Sequence, residues 1–385
     1  MTPQARAQAA IDIVDGVIAA ARAGGAAADT LIQRYFAARR YAGAKDRRAV
    51  RALVYGAIRR AGDPPASGRA AMLGLAEDMP ELTAWFDGSR HAPAPIRPDE
   101  PRAIASEAPA WLAGRLDGLG LTGRAPLDLR VNRLKIRREA LDLPDAVPTP
   151  FAPDGLRLPQ GAAVERLEAY AQGLFEVQDE GSQLVARACG AQPGQAVVDL
   201  CAGAGGKTLA LAADMADRGR LLACDADRAR LARLAPRAAR AGVTIAEPRL
   251  LDAGREADAL ADWREAADLV VIDAPCSGTG TWRRNPEARW RLTPDRLARL
   301  QTVQARLLRV GAALVRPGGA LAYITCSLLD EEGVAPIAAF LEEAPHWRVD
   351  GPALPAGAAH GPGWRLTPAD AGTDGFFIAR LRRSC

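Results

Sequence analysis

From Asp179 to the end of the chain, short apolar runs alternate with amphipathic stretches, and this rhythm limits the possible folds more than any other feature. "AVVDLC" (196–201), "GRLLACD" (219–225), "ADLVVIDAP" (267–275) and "ALAYITC" (320–326) read as buried strands. Between them, "KTLALAADMA" and "RARLARLAPRAARAG" read as helices. Thr293-Pro294 opens a longer helix, with cap and first-turn proline in the usual order, that stops before "RPGG". "DGFFIARL" (374–381) closes the series as a last strand. Such alternation predicts an α/β fold built on an open parallel sheet. The ligand of such a sheet sits outside the carboxyl ends of the strands, so chemistry is sought there.

The first strand is followed by "CAGAGGKT", Cys201 to Thr208. A phosphate-binding Walker loop needs glycine where Cys201 stands, and a GxGxxG turn from Gly203 needs glycine or alanine where Thr208 stands. What remains is a glycine-rich turn whose backbone admits a ligand and points amides at it. Twenty residues beyond Gly205, Asp225 ends the second strand, the usual place for a carboxylate on ribose hydroxyls. Asp252 in "RLLDAG" and Asp273 in "VVIDAP" end the next two candidate strands. One acid alone is most often a solvated turn residue. A glycine loop and then three carboxylates on successive strand tips is the layout of an S-adenosylmethionine site: loop under the methionine part, Asp225 on the ribose, Asp252 beside the adenine.

The six cysteines (Cys189, Cys201, Cys224, Cys276, Cys326, Cys385) show no CxxC pairing, which argues against a metal site and against a secreted disulfide framework. A reducing cytoplasm is the expected compartment. "MTPQARAQAAIDIVDG" meets Asp12 and Asp15 before an apolar block forms, so no signal peptide is expected, and no stretch approaches the ~20 apolar residues of a membrane span. Cys189, Cys201 and Cys224 suit small buried hydrophobes. Cys276 and Cys326 differ, because each lies past the carboxyl end of one of two strands expected to be adjacent. A thiol there suits methylation of a carbon that is not itself nucleophilic, such as carbon 5 of cytosine. Adding a thiolate to carbon 6 makes carbon 5 the nucleophile, which splits one hard step into easier ones. A second thiol can assist when the adduct is broken.

Taken together, "DAPCSGTGTWRRNPEARW", "ITCSLLDEE", "DLCAGAGGKT" and "DGFFIARL" resemble the RsmB/Nop/Sun family of RNA cytosine-5 methyltransferases, in its bacterial ribosomal-RNA branch. The likeness runs from about residue 125 to 385 and includes "PLDLRVNRLK" and "VQDEGSQLVARA". It implies a Rossmann-like methyltransferase using S-adenosyl-L-methionine and no metal. It implies Cys326 as nucleophile, Cys276 in product release, and Asp273 on the cofactor or target base. The donor-binding positions it implies are Cys201, Ala202, Gly203, Ala204, Gly205, Gly206, Lys207, Asp225 and Asp252, with Asp273 at the edge.

Ahead of this part, Ile11, Val14, Val17, Ile18 and Ala21, then Leu31 and Tyr35, then Val50, Leu53, Val54, Ala57 and Ile58 recur at helical spacing. Asp29 is a candidate N-cap after "RAGGAAAD", while "AGDPPASG" and "SRHAPAPIRPDEPR" read as a break and a linker. "KDRRAVRALVYGAIRR" (45–60) resembles part of a NusB-like RNA-binding domain, here shortened. Three segments follow: helical 1–95, a small mixed α/β RNA-binding segment 103–175 with strands in "LDLRVNRLK" and "GLFEVQ", and catalytic 176–385. Of the 50 cations 47 are arginine, with only Lys45, Lys135 and Lys207 as lysine. A genome rich in G and C accounts for that bias, although the planar guanidinium also suits phosphate. Arg47, Arg48, Arg59, Arg60, Arg283, Arg284 and the run Arg130 to Lys135 are the candidate RNA contacts. The expected partner is RNA, 16S ribosomal RNA first and tRNA as the alternative, with no membrane and a monomeric chain. Two other classes compete: a DNA cytosine-5 methyltransferase, with Cys276 as nucleophile and Thr325-Cys326-Ser327 left unexplained, and a non-catalytic RNA-binding or assembly factor.

Overall fold

The computed structural model describes residues 1–351 and 353–385. The chain divides into two compact units where three segments were expected: Met1–Arg124 with Thr281–Thr293, and Ala125–Gly280 with Pro294–Cys385.

The first unit is helical, with α1 (Pro3–Ala23), α2 (Ala28–Ala37), α3 (Ala44–Arg60) and α4 (Gly68–Asp78). Thr2 caps α1 by accepting from the Ala5 amide, and Gly24 ends it in the left-handed region. Val14, Val17, Val54, Ile58, Met72 and Leu82 form its core. The α4 helix starts on the last residue of the "AGDPPASG" break and continues through residues for which the sequence predicts no element. A β-carbon on Gly68 would come 2.2 Å from the Ile11 carbonyl oxygen, and one on Gly74 2.5 Å from that of Ala103. Here glycine serves close packing rather than a turn. Asp29 does not cap α2. Ala27 holds the cap position, and the Ala28 amide donates to Glu287 Oε1 at 3.0 Å. Asp29 instead pairs with Arg51 at 2.7 Å and accepts from the Tyr55 hydroxyl. The segment 281–293 is part of this unit's interior: Trp290 Nε1 donates to the Ala61 carbonyl at 2.9 Å, and buried Arg289 donates to the Glu107 carbonyl at 2.9 Å.

In the second unit, β1 (Leu127–Val131), β2 (Val147–Pro148), β3 (Gly155–Leu158) and β4 (Phe175–Val177) form an antiparallel sheet in the order β2-β3-β1-β4. The two expected strands there are β1 and β4. The larger sheet holds β5 (Ala196–Asp199), β6 (Arg220–Asp225), β7 (Ala246–Leu250), β8 (Ala267–Asp273), β9 (Val315–Thr325), β10 (Trp347–Val349), β11 (Ala358–His360), β12 (Gly363–Leu366) and β13 (Phe376–Arg383). Its order is β11-β12-β13-β9-β8-β5-β6-β7, with β10 also on β13. Strands β5 to β9 run parallel as expected, but β10 to β13 add antiparallel pairs, so the sheet is mixed. Short links dictate this: β11 to β12 and β12 to β13 leave no room for the dozen or more residues of a parallel crossover. The stretch 228–242 forms two helices, Arg228–Leu231 and Leu234–Ala241, rather than one. Pro236 fits only a first turn, so the second helix starts afresh at Leu234. The helix Pro294–Leu314 is as read.

Strand β5 is the pivot of the sheet. From it the chain builds outward through β6 and β7 on one side, and through β8 and β9 on the other. A crevice opens at the carboxyl end of such a switch point. Among the described residues, no helix is long and apolar enough to cross a membrane, and no cluster of three or more His, Cys, Asp or Glu could hold a metal.

Candidate active site

Strand β5 ends at Asp199, which is fully buried and accepts from Thr208 Oγ1 at 2.7 Å. Burial pushes its carboxyl up to about 7. The chain then turns through Gly203 (φ 55) and Gly205 (φ 87) into the helix Gly206–Asp214. At Gly205 a β-carbon would lie 2.3 Å from Leu234 Cδ1, so only glycine fits both the backbone and the space. No side chain caps this helix, and a β-carbon on Gly206 would meet nothing within 4 Å. Its first amides therefore have no side-chain partner at the cap, an arrangement that suits a ligand carboxylate.

The loop is anchored from two directions. Asp225, at the tip of β6, accepts from the Gly203 amide and from the Asp227 amide, each at 2.7 Å on a separate oxygen. Each oxygen keeps lone-pair capacity for a further donor. Asp252 is exposed just past the neighbouring β7, whose Leu251 amide donates to the Asp225 carbonyl. From the small sheet, Arg130 donates to the Gly206 carbonyl at 3.1 Å and to Gln178 Oε1 at 2.6 Å, while Arg237 donates to the Ala204 carbonyl at 2.6 Å. Arg237 and Arg240 both pair with buried Glu176.

In the run Arg130 to Lys135, Arg130 is buried against the loop, Arg133 pairs with Asp214, and exposed Lys135 Nζ donates to the carbonyls of Gln172 and Arg240.

Strands β8 and β9 lie side by side with Asp273 opposite Ile324, and each is followed by a cysteine. Cys276 Sγ and Cys326 Sγ stand 3.4 Å apart, both half-buried and both free. The hydrogen bond to Cys326, reinforced by burial, pushes the Cys276 thiol well up. Lys207, which sits in the first turn of helix Gly206–Asp214, is buried rather than on a helix surface. Its Nζ meets Asp273 Oδ2 at 2.8 Å. Burial alone would lower the Lys207 pKa, but the Asp273 charge and hydrogen bond outweigh it and hold the ammonium charged. This ion pair joins the glycine loop to the strand that carries the first thiol. Cys189 and Cys224 are fully buried, as read, whereas Cys201 is only half-buried.

Sequence reasoning missed the residues that fix the two cysteine loops. Ser327 Oγ lies 3.1 Å from Ser277 Oγ and 3.2 Å from Thr279 Oγ1, and the Gly280 amide donates to the Cys326 carbonyl at 2.9 Å. Buried Glu332 and Gln304 complete this network. The only local signal was the acidic "DEE" after Cys326.

In the helical unit, Arg60 is tied to Glu77, Asp78 and the Ala103 carbonyl, and Arg59 stacks over Tyr55. Arg283 is buried and Arg284 half-buried. Of the arginines singled out, Arg47 and Arg48 are exposed, and with Phe36, Ile32 and Arg51 they line an open hollow of about 360 Å³.

Residues 187–382 match the family described as 16S rRNA methyltransferase RsmB/F. The probable ribosomal RNA small subunit methyltransferase B of Synechocystis is 37% identical over 273 residues, covering 67% of this chain and 60% of that protein. Ribosomal RNA small subunit methyltransferase B of Sodalis glossinidius is 34% identical over 331 residues, covering 80% of this chain and 74% of that protein. Thus the chain spans from three-fifths to about three-quarters of the length of these two relatives. The solved structure of PH0851 is alike in fold, with a TM-score of 0.77 at 24% identity, covering 100% of this chain and 99% of that one. On the family match and the identity to these relatives, the chain belongs to the RsmB/F family of 16S rRNA methyltransferases.

Proposed function

We propose that this protein methylates carbon 5 of a cytosine in 16S ribosomal RNA, using S-adenosylmethionine and a transient bond between Cys326 and the base. The observation that carries this reading is the pair of free thiols 3.4 Å apart at adjacent strand ends, linked by Lys207–Asp273 to a glycine loop with an uncapped helix behind it. The donor site fits the group: the first amides of helix Gly206–Asp214 for its carboxylate, Asp225 for ribose hydroxyls, Asp252 beside the adenine. When bound, the donor supplies the electrophilic methyl group that carbon 5 takes.

The chain's own residues do the rest. The Cys326 thiolate adds to carbon 6, and the electron pair of the carbon 5–carbon 6 double bond moves into the ring. The Lys207–Asp273 pair supplies the charge and the proton that N3 takes up as that happens. After methylation, the proton on carbon 5 leaves to solvent, the double bond re-forms as the carbon–sulfur bond breaks, and N3 returns its proton to the Lys207–Asp273 pair. Cys276 keeps its S–H against the departing sulfur and stabilises it as an anion. The Thr325-Cys326-Ser327 step, which a Cys276 nucleophile would leave unexplained, supports this division of labour. Arg47 and Arg48 are the proposed phosphate contacts of the helical unit, and the cytoplasm is where such a substrate is met.

Radiolabelled methyl transfer to total RNA and to DNA tests the reaction class, with transfer to RNA alone expected. Bisulfite sequencing of RNA from a strain lacking the gene tests the substrate. Loss of 5-methylcytosine from tRNA, with ribosomal RNA unchanged, would overturn the ribosomal assignment and leave the chemistry standing.

A further inference from the structure

Six residues past Cys326, Glu332 is fully buried and pairs with no cation among the described residues. Its Oε1 accepts from the Ser277 amide at 2.8 Å and from Gln304 Nε2 at 3.0 Å, and its Oε2 accepts from the Ser277 hydroxyl. Gln304, buried on helix Pro294–Leu314, also donates to the Pro275 carbonyl at 2.9 Å. The residues immediately before and after Cys276 are therefore held by one carboxylate and one amide, neither on the Cys276 loop. Tyr323, on β9, fixes the carboxylate's own backbone by donating to the Glu332 carbonyl at 2.9 Å. Burying an anion without a cation is costly, and neutral donors alone satisfy this one.

We propose that Glu332 is a positioning residue that makes the two thiols unequal: it clamps the Cys276 loop and leaves the proton on Cys276, so that Cys326 serves as the nucleophile. The nucleophile half of this statement rests on the covalent mechanism above. The two thiols have different charged neighbours. The Glu332 carboxylate acts on Cys276 together with the Cys326 sulfur, and both disfavour a second negative charge there. Tyr323, buried nearby, holds its own proton more tightly than usual because burial, first, and then the surrounding thiol and Glu332 groups oppose its ionisation. Lys207, paired with Asp273, interacts instead with Cys326. A buried carboxylate acts on one thiol and a lysine–carboxylate pair on the other.

The test reads Cys276 without RNA or donor. In Cys326→Ala protein, alkylation of Cys276 is followed against pH by peptide mass spectrometry, then repeated in Cys326→Ala/Glu332→Gln. The midpoint in the first protein is expected above the ordinary thiol value of about 8.5. Removing the buried charge should lower it by about one pH unit, so that alkylation below the midpoint runs about tenfold faster. An unchanged or higher midpoint overturns the proposal. Should the double variant fail to fold, the first protein decides alone: a midpoint at or below the ordinary value overturns it too. Cys276→Ala enzyme that forms no RNA adduct would count against the covalent mechanism, while the Cys276 titration would still judge Glu332.

Discussion

The loops after β8 and β9 both begin at a parallel strand end, both present a cysteine followed by a serine, and bring their sulfurs to 3.4 Å. They differ in what stands behind the sulfur. The first loop is gripped from outside by Glu332 and Gln304, whereas the second contributes Glu332 itself and carries the Cys326 carbonyl that receives the Gly280 amide. Two similar short motifs thus become chemically distinct through residues remote from them in sequence. Similarity of motif does not mean similarity of role, and the surroundings decide which thiol keeps its proton.

That comparison can be broken most directly at the sulfurs. Cys326→Ala should reduce methyl transfer by at least about 10⁴-fold, the scale of removing a covalent nucleophile, and should leave no RNA adduct on a denaturing gel. Cys276→Ala should cost about 10² to 10⁴ in turnover while an adduct accumulates as a ribonuclease-sensitive shifted band. A reversed adduct pattern would exchange the roles of the loops. Lys207→Met separates the two sides of the crevice. It should lower kcat by about 10²-fold through loss of the charge beside the reacting base, with donor affinity within about threefold of wild type. Equal losses in both would return Lys207 to the donor site. Asp225→Ala should weaken donor binding at least about tenfold by calorimetry, the lower end for a charge-assisted contact of roughly 1.5–3 kcal/mol. Adduct formation with excess donor should survive it. The smallest effect is expected at Arg48→Glu, which should weaken RNA binding several-fold and flatten its salt dependence by about one phosphate contact, with kcat at saturating RNA unchanged.

The parts of the molecule that could be read in the sequence are those governed by neighbours in the chain. Strands β5, β6, β8 and β9 announce themselves as apolar runs, and their tips carry the glycine loop, the acids and the cysteines in plain order. The start of helix α4 was hidden because Gly68 ends a stretch that reads as a break, while its purpose is close contact with Ile11. Arg130 and Lys135 look like surface cations on a strand and its turn. Only the fold shows their donors turned onto the Gly206 and Gln172 carbonyls. Glu332 and Gln304 gave no sign for the same reason: their partners lie 55 and 29 residues away. The short strands β11 and β12 are too brief for alternation to register, and so the mixed edge of the sheet went unread.

The segment 281–293 leaves the second unit directly after the Cys276 loop and supplies Arg289 and Trp290 to the interior of the helical unit before the chain returns at Pro294. An evolutionary history follows from that path. A module added by joining two genes end to end leaves one seam, which a later deletion can reopen. This one has three crossings, so the helical unit cannot be gained or shed by a single recombination event. A descendant that discarded residues 1–124 would inherit a stranded tryptophan and an arginine in need of new burial. Lineages without the helical unit should therefore show, between their two cysteine motifs, a stretch rewritten in polar residues.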